Sequence, residues 1–419
     1  MGEMLNLIAF FIGLIYSFIS IQNIIKSKSY VSSIIYIVFF IIFILPLGID
    51  VWQGETAYYG TFYIITKSVA NEIVIKIYAL FTIYFSIIFN FLVFRNFLSH
   101  KNNSTEITLD NNEYVFNIYK KWRYIFWLLV YLPIILVIFS PEKEKFLIYG
   151  YSSMRDFGDT MNSSIGNIYL SVNISVIVVF AILLIKRKGI SSVIPYIPIL
   201  MFDVWINGKR NIVVLVLVFL LYLILTDKKL RVGLKIGIVV FLIGLSSLYF
   251  SYYKTIKPNL YKKETTRIEY FRDHTVKLAL YSELYPEELK ILDYRGQSLL
   301  FYITIFIPRS MWKDKPMPYA QYLTSAALGI PPDFNGWGIT NSIFDELICN
   351  LGIWIIFLFP FFIFCIVKYS DPIRDRFTSI FTILIICLLF SVQITAYYPL
   401  YIIYTVYVIH KKQFIFKNN

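Results

Sequence analysis

Long runs of Ile, Leu, Phe and Val, broken by short clusters of Lys, Asn, Asp and Gly, repeat along the whole of this 419-residue chain. Apolar runs of about 17 to 25 residues are long enough to cross roughly 30 Å of hydrocarbon as helices. They predict about eleven membrane-spanning helices, near 5–25, 30–49, 73–94, 124–140, 168–185, 191–206, 212–226, 232–252, 342–367, 377–394 and 397–410. Residues 253–341 follow a different pattern, with amphipathic stretches interrupted at Pro258, Pro286 and Gly296. Leu299 to Ile307 is apolar but too short to span. The expected organisation is thus an all-α polytopic protein: spans one to eight over 1–252, a large extracytoplasmic loop over 253–341, and spans nine to eleven with a cytoplasmic tail over 342–419.

Composition agrees with the pattern. Hydrophobic residues make up 58% and charged residues 16%, with a mean hydropathy of +0.66, a balance that excludes a string of soluble domains. The first run has no basic start and no small-x-small cleavage site, so it reads as a span and not as a cleaved leader. All three cysteines fall in apolar runs without metal-ligand spacing. A net charge of +13 would suggest nucleic acid in a soluble protein. Here the cations flank spans, at Lys26 and Lys28, Lys186–Lys188, Lys228–Lys235 and Lys411–Lys412. The positive-inside rule then sets the N-terminus outside and the C-terminus in the cytoplasm, with anionic lipid headgroups as the partner. The turn Gly208-Lys209-Arg210 is left outside against that rule. It reads either as interfacial snorkelling or as an anion site.

The chain has no phosphate-cradling glycine loop, no HExxH, no zinc spacing and no serine nucleophile elbow. Without a soluble domain to hold a nucleotide sugar, an enzyme of this shape takes its substrate on a lipid and acts at the outer face. The densest chemistry lies in Ile307 to Gly352, where charge beside membrane spans carries a desolvation cost. Arg210, Arg309, Lys315, Arg272 and Arg267 suit a diphosphate, because guanidinium forks pair with phosphate oxygens and Lys adds a point charge. For Arg267 and Arg272 the plainer expectation is a solvated helix face. Glu346, Asp345, Asp273 and His274 are the candidate proton acceptors. The Asp345–Glu346 pair at a helix start also fits simple dipole complementation. Trp312, Tyr319, Tyr322 and Trp337 offer rings for sugars, or anchors for the membrane interface.

Two stretches, IPRSMWKDKP and GWGITNSIFDELICNLG, resemble the Wzy-type polymerases of bacterial O-antigen and capsular repeat units. The matching positions are Pro308, Arg309, Trp312, Lys315 and Pro316, then Gly338, Thr340, Glu346, Asn350 and Gly352, with the Gly208–Asn211 turn similar to the family's Gly-x-Arg element. The resemblance implies a GT-C-like fold in the bacterial cytoplasmic membrane and a metal-independent glycosyltransferase. Its implied reaction moves a growing glycan from undecaprenyl diphosphate to the non-reducing end of an incoming lipid-linked unit on the outer leaflet. Chain-length regulator and flippase proteins are the implied partners. A polysaccharide ligase of the same architecture and a lipid-linked oligosaccharide flippase are the alternatives, although no internal twofold repeat supports transport.

Overall fold

Backbone polar groups removed from water are satisfied inside a helix, so apolar runs of this length fold as helices. The computed structural model describes residues 2–25, 31–54, 62–99, 113–141, 143–148, 164–185, 190–208, 210–226, 230–256, 267, 270–304, 307, 311–334, 338–370 and 376–417. No strand occurs among the described residues. The helices are α1 (Gly2–Ile25), α2 (Val31–Phe39), α3 (Leu45–Gln53), α4 (Tyr63–Val69), α5 (Glu72–Ser99) and α6 (Glu113–Ile138). Then come α7 (Ser164–Ile185), α8 (Ile197–Asn207), α9 (Arg210–Thr226), α10 (Val232–Ile256), α11 (Asp273–Leu284) and α12 (Gln297–Ile303). The last are α13 (Tyr319–Leu328), α14 (Ile343–Leu351), α15 (Ile355–Tyr369), α16 (Arg376–Ser391) and α17 (Tyr398–Lys417).

Four stretches are helical, long and apolar enough to cross a membrane: Gly2–Ile24, Val31–Trp52, Glu72–Phe91 and Phe116–Ile138. The other expected spans coincide with apolar helices of 10–17 residues. The chain forms two compact units, one of residues 1–104, 253–371 and 385–419, the other of 105–252 and 372–384.

In the first unit α1 runs parallel to α5, since the start of α1 at Gly2 lies against Glu72 and Ile75. The α2–α3 pair returns antiparallel, with Gly13 against Phe40 and Ile44, and Gly48 against the Phe10 ring. Between α2 and α3 one π turn, Phe40–Ile44, shifts the hydrogen-bond register. Its carbonyls are then used elsewhere: Ile42 accepts from the Arg272 backbone N–H at 3.3 Å and Phe43 from the Tyr78 hydroxyl at 2.7 Å. Below that turn lies an aromatic core of Phe39, Phe43, Phe81, Phe85 and Phe390. Phe344 of α14 enters it, with its ring centroid 4.9 Å from Phe81 and 5.6 Å from Phe390.

The expected ninth span does not form as one helix. It breaks at Gly352 (φ 91°, ψ 173°) into the buried α14 and the apolar α15. Gly352 takes a positive φ, and the Arg295 guanidinium lies about 3.4 Å from where a β-carbon would stand. The break leaves α14 as a nine-residue platform that carries charge.

In the second unit α6 lies beside α7, and α7 beside α8 and α9, with Phe180 stacked on Phe219 at 4.2 Å. Asp203, an acid in an apolar helix, is fully buried and takes a hydrogen bond from the Ser175 hydroxyl at 2.8 Å.

The tight glycines of α1 and α3 give a test. Gly48→Leu is expected to destabilise the protein in detergent by about 1–3 kcal/mol through overpacking against Phe10. Gly233→Leu, with nothing within 4 Å of its β-carbon, is expected to leave the melting temperature unchanged.

Candidate functional site

Polar side chains converge on α11 and α14, two short helices packed together in the first unit. Neither is among the apolar helices that coincide with the expected spans. Residues Asp273 to Ser282 of α11 are all buried, which reverses the expectation of a solvated face at Arg267 and Arg272. Both arginines are 5% exposed. Arg267 forks onto both carboxylate oxygens of Asp50 and also reaches Asp273 at 2.6 Å. Lys277 completes the group, 3.5 Å from Asp273 and 3.7 Å from Asp50, with its ammonium 5.2 Å from the centre of the Tyr78 ring. Two cations thus face two carboxylates, a balanced and buried cluster. Burial by itself raises the Asp273 carboxyl, but Arg267 and Lys277 overcome that and hold it well below the usual range. Arg272 points elsewhere and donates to the Ser391 carbonyl at 2.8 Å and 3.2 Å.

One helical turn further, α14 treats its two acids differently. Its sequence opens with Ser342-Ile343-Phe344-Asp345, a capping box in which Asp345 accepts from the Ser342 N–H at 2.7 Å and from its hydroxyl at 2.5 Å. Burial raises the Asp345 carboxyl to about 6, with Ser342 and Thr275 opposing. This acid holds the helix start. Glu346, next to it and equally buried, has no such structural duty. Its oxygens accept from the Tyr302 hydroxyl at 2.8 and 3.0 Å and from the Ser298 hydroxyl at 3.0 Å. Ser298 and Tyr302 lie four residues apart on one face of α12. The Asn350 amide, one turn along from Glu346, donates to Ser298 Oγ at 2.8 Å and to the Glu346 carbonyl at 2.7 Å. Burial pushes the Glu346 carboxyl up to about 7, against the pull of Tyr302 and Ser298 and with the help of Asp345. A carboxyl poised there switches readily between proton acceptor and donor near neutral pH.

His274 is fully buried at the start of α11, beside Asp273, with its Nδ1 3.9 Å from Oδ1 of that carboxylate. Burial lowers its tendency to hold a second proton, so it is neutral at pH 7. Lys315 is buried over the Phe301 ring and donates to the Ile307 carbonyl at 2.9 Å. Tyr319 is 1% exposed with its hydroxyl 3.3 Å from Cys349 Sγ, so its ring is core and offers no face to a sugar. Burial raises the Cys349 thiol to about 12, which keeps it protonated. Trp312 is half-buried. Arg309 and Trp337 lie outside the described residues, and Arg210 is described in its backbone only, at the first position of α9. Sequence reading missed Asp50, Lys277, Ser298 and Tyr302. Asp50 carried a readable signal, an acid ending a long apolar run. The Ser298–Tyr302 spacing carried a fainter one. No metal-binding cluster of His, Cys, Asp and Glu occurs among the described residues.

Comparison of the chain with protein-family models, with curated proteins and with solved structures gives no match.

Removing one member of a balanced buried cluster exposes the cost of the rest. Lys277→Met is expected to lower stability by about 3–5 kcal/mol. Adding Asp50→Asn, which removes the surplus negative charge, is expected to restore part of that loss; thermal unfolding of the single and double variants checks it.

Proposed function

We propose that this chain is a membrane-embedded glycosyltransferase that polymerises lipid-linked oligosaccharide repeat units, with Glu346 as the proton acceptor. The observation that carries the reading is the setting of Glu346: a fully buried carboxyl, pushed up to about 7 and held by two hydroxyl donors. Charge-poor burial of this kind is common in carboxyls that move protons. The resemblance to the repeat-unit polymerases supports the same residue. Its Glu-x-x-x-Asn-x-Gly element falls on Glu346, Asn350 and Gly352, and these three act together here. Asn350 steadies Ser298 against Glu346, and Gly352 ends the helix on which both stand.

In the proposed step the acceptor sugar's hydroxyl gives its proton to the Glu346 carboxylate as its oxygen bonds to the anomeric carbon of the growing glycan. The bond from that carbon to the lipid diphosphate breaks, and the diphosphate leaves with the electron pair. The leaving group needs cations. Arg267 is engaged by Asp50 and Asp273, and Arg272 by the Ser391 carbonyl. Arg309 is therefore the arginine of this unit assigned to the diphosphate, with the reaction placed on the outer leaflet of a bacterial cytoplasmic membrane; Arg210, in the second unit, is singled out on its own by the resemblance to the family's Gly-x-Arg element.

The test is the size of lipid-linked glycans in producing cells. Glu346→Gln is expected to abolish long chains and leave single repeat units, with the protein still inserted at the wild-type level; Arg309→Ala and Arg210→Ala are expected to do the same. Long lipid-linked polymer accumulating in a deletion strain would instead identify a ligase, and unchanged chain length in all three variants would contradict the proposal.

A further inference from the structure

Tyr401 stands on α17, far in sequence from the motifs that drew attention to Glu346. Its hydroxyl is buried, and among the described residues it meets no hydrogen-bond partner. The same phenol lies within electrostatic reach of both Glu346 and Tyr302, and it bonds neither. A second unsatisfied atom belongs to the same network: Asn350 donates through its amide nitrogen to Ser298 and to the Glu346 carbonyl, while its Oδ1 has no partner among the described residues. Asn350 is 1% exposed. A buried hydroxyl and a buried amide oxygen left unbonded each cost on the order of 1–3 kcal/mol. Both atoms belong to the surroundings of one carboxyl, and together with it they form a group with a definite chemistry. It offers a donor in Tyr401 O–H, an acceptor in Asn350 Oδ1 and a proton acceptor in Glu346.

That set favours a neutral ligand rich in hydroxyls. Asp345 and Glu346 both disfavour an anion, and Glu346 is held by hydroxyl donors. The cations of the neighbouring cluster, Arg267 and Lys277, face Asp50 and Asp273. We propose that Tyr401 and Asn350 bind a sugar of the lipid-linked acceptor, with Tyr401 donating to one ring hydroxyl and Asn350 Oδ1 receiving from a neighbour, so that a hydroxyl between them faces Glu346. This rests on the polymerase reading and adds to it a substrate-binding residue on the last helix.

The test uses purified full-length protein in lipid nanodiscs and the rate at which dicyclohexylcarbodiimide modifies Glu346 at pH 6, read by mass spectrometry. The probe is the lipid-linked oligosaccharide fraction extracted from producing cells. It is expected to protect Glu346, and Tyr401→Phe, which removes one oxygen, is expected to raise the half-protecting concentration about three- to tenfold. Equal protection of wild type and Tyr401→Phe overturns the role of Tyr401, whether or not Glu346→Gln cells lose long glycan. Protection by glycerol as effective as that by the oligosaccharide fraction, or no protection of the wild type, overturns the sugar site itself. Loss of the cellular phenotype alone, with protection intact, overturns the polymerase reading and leaves a sugar-binding site.

Discussion

A carboxyl group taken out of water must find a cation, find enough hydrogen-bond donors, or give up its charge. The first unit of this protein uses all three solutions, on α3, α11 and α14. Asp50 and Asp273 take cations, Arg267 and Lys277, and these hold the Asp273 carboxyl well below its usual range. Asp345 takes the donors of its own helix start. Glu346 has two hydroxyls and an acidic neighbour, which is too little to keep it charged without cost. A pKa raised from 4.5 to about 7 corresponds to roughly 3 kcal/mol borne by the charged form. The surrounding structure has to hold that energy, and most of its local features can be read as doing so.

The π turn between α2 and α3 frees the carbonyls that fix Arg272 and Tyr78. Tyr78 underlies Lys277, and Lys277 belongs to the cluster that ties α11 to α3. Thr275 of α11 in turn meets Asp345, while Phe344 pins α14 into the aromatic core from the opposite side. The platform under Glu346 is thus set from two directions, by a balanced ionic cluster and by packed rings. A carboxyl fixed from two directions suits the proposed role of Glu346, in which one hydroxyl among several has to be oriented.

Much of the architecture was legible in the sequence because apolar length and period dominate in a chain of this kind. The helices of the first four spans follow from their runs almost without further information. The breaks did not follow as well. Gly352 interrupts an apolar run that has no proline until Pro360, and only its positive φ, with Arg295 lying over it, shows why the chain must turn there. Charge was read in kind but not in place. Arg267 and Arg272 looked solvated because their neighbourhood alternates charged and apolar residues. Their burial depends on Asp50 and on the carbonyls of Ile42 and Ser391, partners more than a hundred residues away. Glu346 was singled out by a local pattern, whereas Ser298, Tyr302 and Tyr401, which define its chemistry, come from other helices and share no motif with it.

The central claim is physical: the Glu346 carboxyl loses its proton near neutrality because burial penalises its charge. It should be neutral below about pH 7 and charged above it. Infrared difference spectroscopy of the protein in nanodiscs tests this directly, by following a protonated-carboxyl stretching band as pH is raised. The account predicts a band that disappears with a midpoint near 7 and is missing throughout in Glu346→Gln. A Glu346 band that has already vanished at the ordinary glutamate value of about 4.3 would contradict it.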